Sequence, residues 1–188
     1  MTNYTITKLN LSNQNLTKLP ADILLYTNLQ ILKCNYNKLT ELPELPASLQ
    51  TFDCSHNKLT ELPELPASLE ELDCSHNKLK KLPELPASLQ MLYCDYNEIT
   101  KLSELPASLQ ELYCGYNEIT ELPELPTTLQ IFGCYQNQLT ELPQLPTTLQ
   151  HLECSNNPID VDFPITIKNI SRYNEWLERR AMRNPVFK

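Results

Sequence analysis

The chain reads as a β-solenoid of eight stacked units, with a concave parallel sheet on one side and an extended, polyproline-like return on the other. Three observations predict this. Leu29, Leu49, Leu69, Leu89, Leu109, Leu129 and Leu149 recur every 20 residues, each opening a unit close to L-Q-x-L-x-C-S-x-N-x-L-T-E-L-P-E-L-P-A-S. A unit so short buries almost nothing alone and must stack on its copies. Within each unit L-x-C alternates as a strand with one buried face should. The L-x-x-L-P-x-L-P stretch that follows holds two prolines, which fix φ, remove backbone donors and exclude a helix there.

The elements follow in order. Ile6, Leu9, Leu11 and Leu16 fit the same frame at a 23-residue spacing, which makes residues 6–28 a first, longer unit. Residues 29–168 supply seven 20-residue units, the last running out near Ile159. Residues 169–188 form a cap and tail of the same single domain. Ile170, Tyr173, Leu177 and Ala181 fall at helical spacing, with Ser171 as candidate N-cap, Trp176 and Met182 as helpers, and Pro185 as the stop. Such a helix over 170–183 would close the terminal leucine layer against water.

Composition narrows the function. The chain has 15 prolines and only 2 glycines, so no Gly-rich loop exists to wrap a nucleotide phosphate. Residues 1–164 carry 9 Lys/Arg against 21 Asp/Glu, and residues 165–188 carry 6 against 2, within a net charge of −8. An acidic body repels phosphate backbones, so nucleic acid is not an expected partner. No apolar run is long enough to cross a membrane, and the first residues lack the pattern of a secretory signal. The expectation is a cytoplasmic protein that needs no cofactor.

The stretch L-x-x-L-x-C-x-x-N-x-L resembles the consensus of leucine-rich repeat proteins over about residues 6–160. With its 20-residue period and L-P-x-L-P return it is similar to the short bacterial type found in injected effectors. These include Yersinia outer protein M and the invasion plasmid antigen H ligases; giant viruses of amoebae carry similar repeats. The resemblance implies a protein-binding solenoid that works in cytoplasm, a host cell's if the chain is an effector or viral. It also implies a concave binding face. The ligases carry a nucleophilic Cys in a domain after the repeats. No Cys follows Cys154 here, so that activity is not carried over.

The frame sorts the chemically reactive letters of "DCSHNK", which occurs at 53–58 and again at 73–78. Fourth and sixth positions point to the core, and third, fifth and seventh to the concave face. Cys34, Cys54, Cys74, Cys94, Cys114, Cys134 and Cys154 take the sixth position, where Leu11 stands in the first unit, so they read as buried, reduced core residues. A column along a line does not converge on a zinc ion, and neighbours ~4.8 Å apart exceed the Cβ spacing a disulfide prefers. Asn37, Asn57, Asn77, Asn97, Asn117, Asn137 and Asn157 at the ninth position read as a ladder that satisfies backbone groups. His56 and His76 with Asp53 and Asp73 could suggest a metal pair, and Asp53, Ser55 and His56 a triad. These residues run along strands rather than toward one point, so neither catalysis nor a metal is expected.

The variable columns carry the candidate site. Ile31, Lys33, Tyr36, Asp53, His56, Glu71, Asp73, His76, Met91, Tyr93, Asp95, Tyr96, Glu111, Tyr113, Tyr116 and Tyr135 are placed on or beside the concave face. Tyr and Met are interface-forming types, and the carboxylates would select a protein partner of basic character. The plain alternative is a solvated face whose aromatics only stack on one another. Glu41, Glu61, Glu121 and Glu141, and Glu44, Glu64, Glu84, Glu104 and Glu124, form acidic columns on the return side. Lys58 with Glu61 is a candidate ion pair there.

Overall fold

The computed structural model describes residues 5–183, the side chain of Arg183 excepted. The stop at Pro185 and the end of the basic tail lie outside these residues. Eight three-residue strands form one sheet in chain order: β1 (Lys8–Asn10), β2 (Ile31–Lys33), β3 (Thr51–Asp53), β4 (Glu71–Asp73), β5 (Met91–Tyr93), β6 (Glu111–Tyr113), β7 (Ile131–Gly133) and β8 (His151–Glu153). All neighbours are parallel. Each residue pairs with its copy in the next unit, Leu9 with Leu32 and then Phe52 with Leu72 and Leu92 with Leu112. The register follows from the period, because a slip by one residue would turn every leucine outward.

The core is a set of columns along the solenoid. Leu29, Leu32, Cys34 and Leu39 of one coil are fully buried, as are Leu89, Leu92, Cys94 and Ile99 three coils on. Each such leucine contributes about 1.5–3 kcal/mol by leaving water. Cys34 through Cys134 are buried and free, whereas Cys154 in the last coil is only half-buried.

Where the chain leaves each strand, an asparagine amide closes the turn. Asn57 Nδ2 donates to the carbonyls of Cys54 and of Cys34 in the preceding coil, both at 3.0 Å, and its Oδ1 accepts Leu39 N–H at 2.9 Å. Asn77, Asn97, Asn117 and Asn137 repeat this pattern. At the far end of each return, Ser68, Ser88, Ser108 and Thr128 donate side-chain hydrogen bonds to the coil before. Between these two belts the prolyl segment needs few backbone bonds of its own. The first unit differs, its longer return containing a 3-10 turn at Ile23–Leu25, with Ile23 fully buried.

The helix α1 (Ile170–Arg183) packs on the return side of the seventh coil, at Leu142 and Leu145. Tyr173, fully buried, donates its hydroxyl to Leu142 O and accepts Leu142 N–H, both at 2.7 Å. Asn174 clasps Leu145 N–H and C=O in the same way at 2.9 Å. The helix therefore supplies the backbone partners that a further coil would have offered. Three expectations about it need correction. Ser171 is not the N-cap, because a 3-10 turn at Ile167–Asn169 runs directly into Ile170. Met182 (78% exposed) and Ala181 face solvent, since the apolar stripe ends within two turns, at Trp176 and Leu177.

The acidic column at the start of the return is also less uniform than its glutamates imply. Lys81 and Lys101 occupy the same position as Glu41, Glu61, Glu121 and Glu141. Ion pairs join Lys18 to Glu41 (2.6 Å), Lys101 to Glu121 (2.5 Å) and Arg180 of the cap to Glu141 (3.6 Å). Lys58 with Glu61 is not among the ion pairs of the described residues; Lys18–Glu41 and Lys101–Glu121 run between neighbouring coils instead.

Candidate partner-binding face

Strand pleating puts the third and fifth residues of each coil on the open face of the sheet. Ile31, Glu71, Asp73, Met91, Tyr93, Glu111 and Tyr113 lie there half-buried, and Lys33 is exposed at the N-terminal end. Tyr93 and Tyr113 are aligned in register and stacked, ring centroids 5.5 Å apart. Tyr93 donates its hydroxyl to Glu111 Oε2 at 2.8 Å, with Met91 Sδ at 3.8 Å on its other side. Burial first, then the hydrogen bond to Glu111, push the Tyr93 phenol well above the ordinary range. The central coils thus present a fixed phenol row against a carboxylate.

The residues after each strand build a second row. Tyr36, His56, His76, Tyr96 and Tyr116 stack ring on ring along the solenoid, with centroids 4.0 to 4.2 Å apart. The sequence pattern alone did not show that every one of them sits in the left-handed region, with φ between 49° and 54°. That conformation costs a bulky residue about 1–2 kcal/mol, while each stacked pair returns about 0.5–1.5 kcal/mol. Asn13 and Asn156 hold the same conformation at the ends, where no ladder forms. Gln136 holds it too, so the left-handed turn belongs to the repeat and the middle coils place rings on it. Tyr36, Tyr96 and Tyr116 remain exposed.

The "DCSHNK" segments come apart in space. Asp53 Oδ1 accepts both the N–H (3.1 Å) and the hydroxyl (2.7 Å) of Ser55, and Asp73 Oδ1 accepts Ser75 N–H at 3.0 Å. Ser55 and Ser75 are buried rather than outward-facing, because the chain turns inward to reach the asparagine belt. The Ser55 hydroxyl is directed to Asp53, not to His56, whose ring is held between Tyr36 and His76. Among the described residues, no three His, Cys, Asp or Glu side chains converge as metal ligands would. Burial raises every cysteine, Cys34 to about 12 and Cys54 and Cys94 well above the ordinary thiol value, so these thiols stay protonated in the core.

In the fifth coil Tyr93 takes the place of Asp53 and Asp73, and the carboxylate moves two residues on, to Asp95. Asp95 Oδ1 accepts Gly115 N–H of the next coil at 2.6 Å. Burial raises its pKa to about 6, against the pull of that backbone bond. Tyr135 meets Tyr116 edge-on, with centroids 5.5 Å apart and planes at 89°. Gly115, Gly133 and Glu153 are part of this region and were not among the expected residues. The available signal was that both glycines of the chain fall at or just after a strand, Gly133 at the fifth position of its unit and Gly115 at the seventh.

The comparisons agree with this architecture. The family model for leucine-rich repeats matches residues 47–87 and 67–107. No curated protein sequence matches the chain. Among solved structures, the chain is similar to YopM from Yersinia enterocolitica WA-314, at 39% identity and a TM-score of 0.82 over 87% of this chain and 36% of that one. A Shigella effector LRR domain matches at 34% identity and a TM-score of 0.72, over 97% of this chain and 78% of that one. The functional domain of InlJ from Listeria monocytogenes, described as including a cysteine ladder, matches at 34% identity and 0.74, over 84% of this chain and 36% of that one. The chain therefore spans little more than a third of the YopM and InlJ chains. With its period, register and buried columns alike accounted for by one architecture, the chain belongs to the leucine-rich repeat family.

Proposed function

We propose that the chain is a non-enzymatic protein-interaction module that holds a segment of a partner protein, basic in character, on the sheet face of coils three to seven. The observation that carries this is the Tyr93–Tyr113 row, stacked and tied to Glu111 on a face that also bears Asp53, Glu71 and Asp73. Prearranged aromatics lose little entropy when a partner docks, and the carboxylates orient a cationic segment as it approaches. The left-handed backbone beneath the ring ladder supports the same reading, since Asn at those positions would be less strained. The Tyr93→Ala/Tyr113→Ala double variant should lose partner capture in pull-downs while its circular dichroism and melting curve keep the solenoid signature. Undiminished capture refutes the site.

A second reading rests on the similarity to a Shigella effector LRR domain and to YopM. The chain would then act in a host cell's cytoplasm, delivering its ligand to a host enzyme such as a ubiquitin ligase or kinase. Co-purification of such an enzyme from host extract together with the ligand separates it from a simple binding module.

A further inference from the structure

The two glycines of the chain are Gly115 and Gly133, and neither has a positive φ, so neither is required by backbone conformation. What they provide is space. A Cβ on Gly115 would meet three ring atoms of Tyr135 at 2.6 to 2.8 Å, so that ring lies across the spot a side chain would fill. A Cβ on Gly133 would meet Tyr113 at 2.9 Å and Tyr135 at 3.5 Å. Both rings thus close over bare backbone, and Tyr116 stands at 89° to Tyr135 where the stacked ladder ends. The result is an aromatic corner. Asp95 and Glu153 both act electrostatically on Tyr113 and Tyr135, so the corner is bordered by two carboxylates. Neither belongs to any of the ion pairs found among the described residues. The sheet-facing positions of β5 to β7 contain no Lys or Arg.

We propose that Tyr113, Tyr116 and Tyr135, with Asp95 and Glu153, form a seat for a single cationic side chain, arginine or lysine, of the partner protein. An aromatic face attracts a cation through its quadrupole, and a nearby carboxylate adds charge-assisted hydrogen bonds. Charge complementarity selects this occupant over an apolar one, because Asp95 and Glu153 border the corner and no cation of the described residues pairs with either. The proposal rests on the sheet-face reading above and narrows it to one point of contact.

The test titrates the 188-residue chain with N-acetyl-arginine amide, N-acetyl-lysine amide and N-acetyl-citrulline amide, the last an uncharged isostere of arginine, while NMR follows the tyrosine ring resonances. Saturable shifts at Tyr113 and Tyr135 are expected with the cations, and binding about tenfold weaker with citrulline. The stronger of the two cations identifies the preferred side chain. Gly115→Ala should abolish the shifts by displacing the Tyr135 ring, leaving net charge and the acidic face unchanged. If that variant is poorly folded, Tyr135→Leu removes the same wall without crowding the strand. Equal binding of citrulline, or saturable arginine binding retained without the Tyr135 wall, overturns the seat. Should the natural partner be lost in Tyr93→Ala/Tyr113→Ala but held by Gly115→Ala, the sheet-face reading stands and the seat falls. Retention in both variants removes the reading itself.

Discussion

His56 and His76 lie face to face, ring centroids 4.0 Å apart and planes 13° from parallel, clamped between Tyr36 and Tyr96. Burial first, then the neighbouring His56, lower the pKa of His76 below its ordinary value, while Asp73 opposes the shift. A base whose pKa falls on folding takes up its proton more readily when unfolded. Its effect on stability is therefore neutral above about pH 6.5 and unfavourable as pH falls below that. Asp95 has the opposite sign. Its folded pKa of about 6 lies above the unfolded carboxylate value, so its favourable contribution is complete below about pH 4 and lost as pH rises through 6. Asp95→Asn, which retains an acceptor for Gly115 N–H, should raise stability at neutral pH by about 1 kcal/mol and leave it unchanged near pH 3.5. His76→Tyr should flatten the decline toward pH 5. Thermal unfolding of the three proteins across this range checks both signs.

Asn97→Ala should cost about 2–4 kcal/mol. The amide serves Cys74 O, Cys94 O and Leu79 N–H at once, at 3.0 to 3.1 Å, and alanine leaves all three without that partner. Urea unfolding of the variant measures it. A loss no larger than that of an exposed substitution such as Glu98→Ala would mean that water replaces the amide without penalty.

Native thiol labelling should be slow and ordered. Cys154 is half-buried beside an open hollow lined by Ile159, Val161 and Ile165, whereas the other six thiols are buried. The first label should appear on Cys154, the remaining six only after denaturant, as mass spectrometry of the peptides will show. Rapid native modification of Cys74 or Cys94 would contradict the packing.

Tyr96→Asn should change stability by no more than about 1 kcal/mol, because relief of left-handed strain offsets the two lost stacking contacts. Partner binding should nevertheless weaken, since the middle of the exposed ring row is gone. A large destabilisation would make the ladder structural rather than a display surface.

The sequence by itself determined the solenoid, its eight coils and their register. A strict period with one apolar face per unit admits a single stacking in which every leucine is buried, and Cys and Asn inherit their roles from that frame. The face was legible as columns: Tyr93 with Tyr113 and Asp53 with Asp73 could be placed on neighbouring strands from position alone. Only the tertiary structure decided what those columns do to one another. The left-handed turn that stacks Tyr36 through Tyr116 depends on bonds between coils, and Asp95 finds its partner, Gly115, twenty residues away. In sequence Gly115 and Gly133 are two lone glycines; in the fold the rings of Tyr135 and Tyr113 occupy their space. Periodicity specifies where a side chain starts. Where it ends, and whether it meets a ring, a carboxylate or water, is set by neighbours that only the stacked coils bring together.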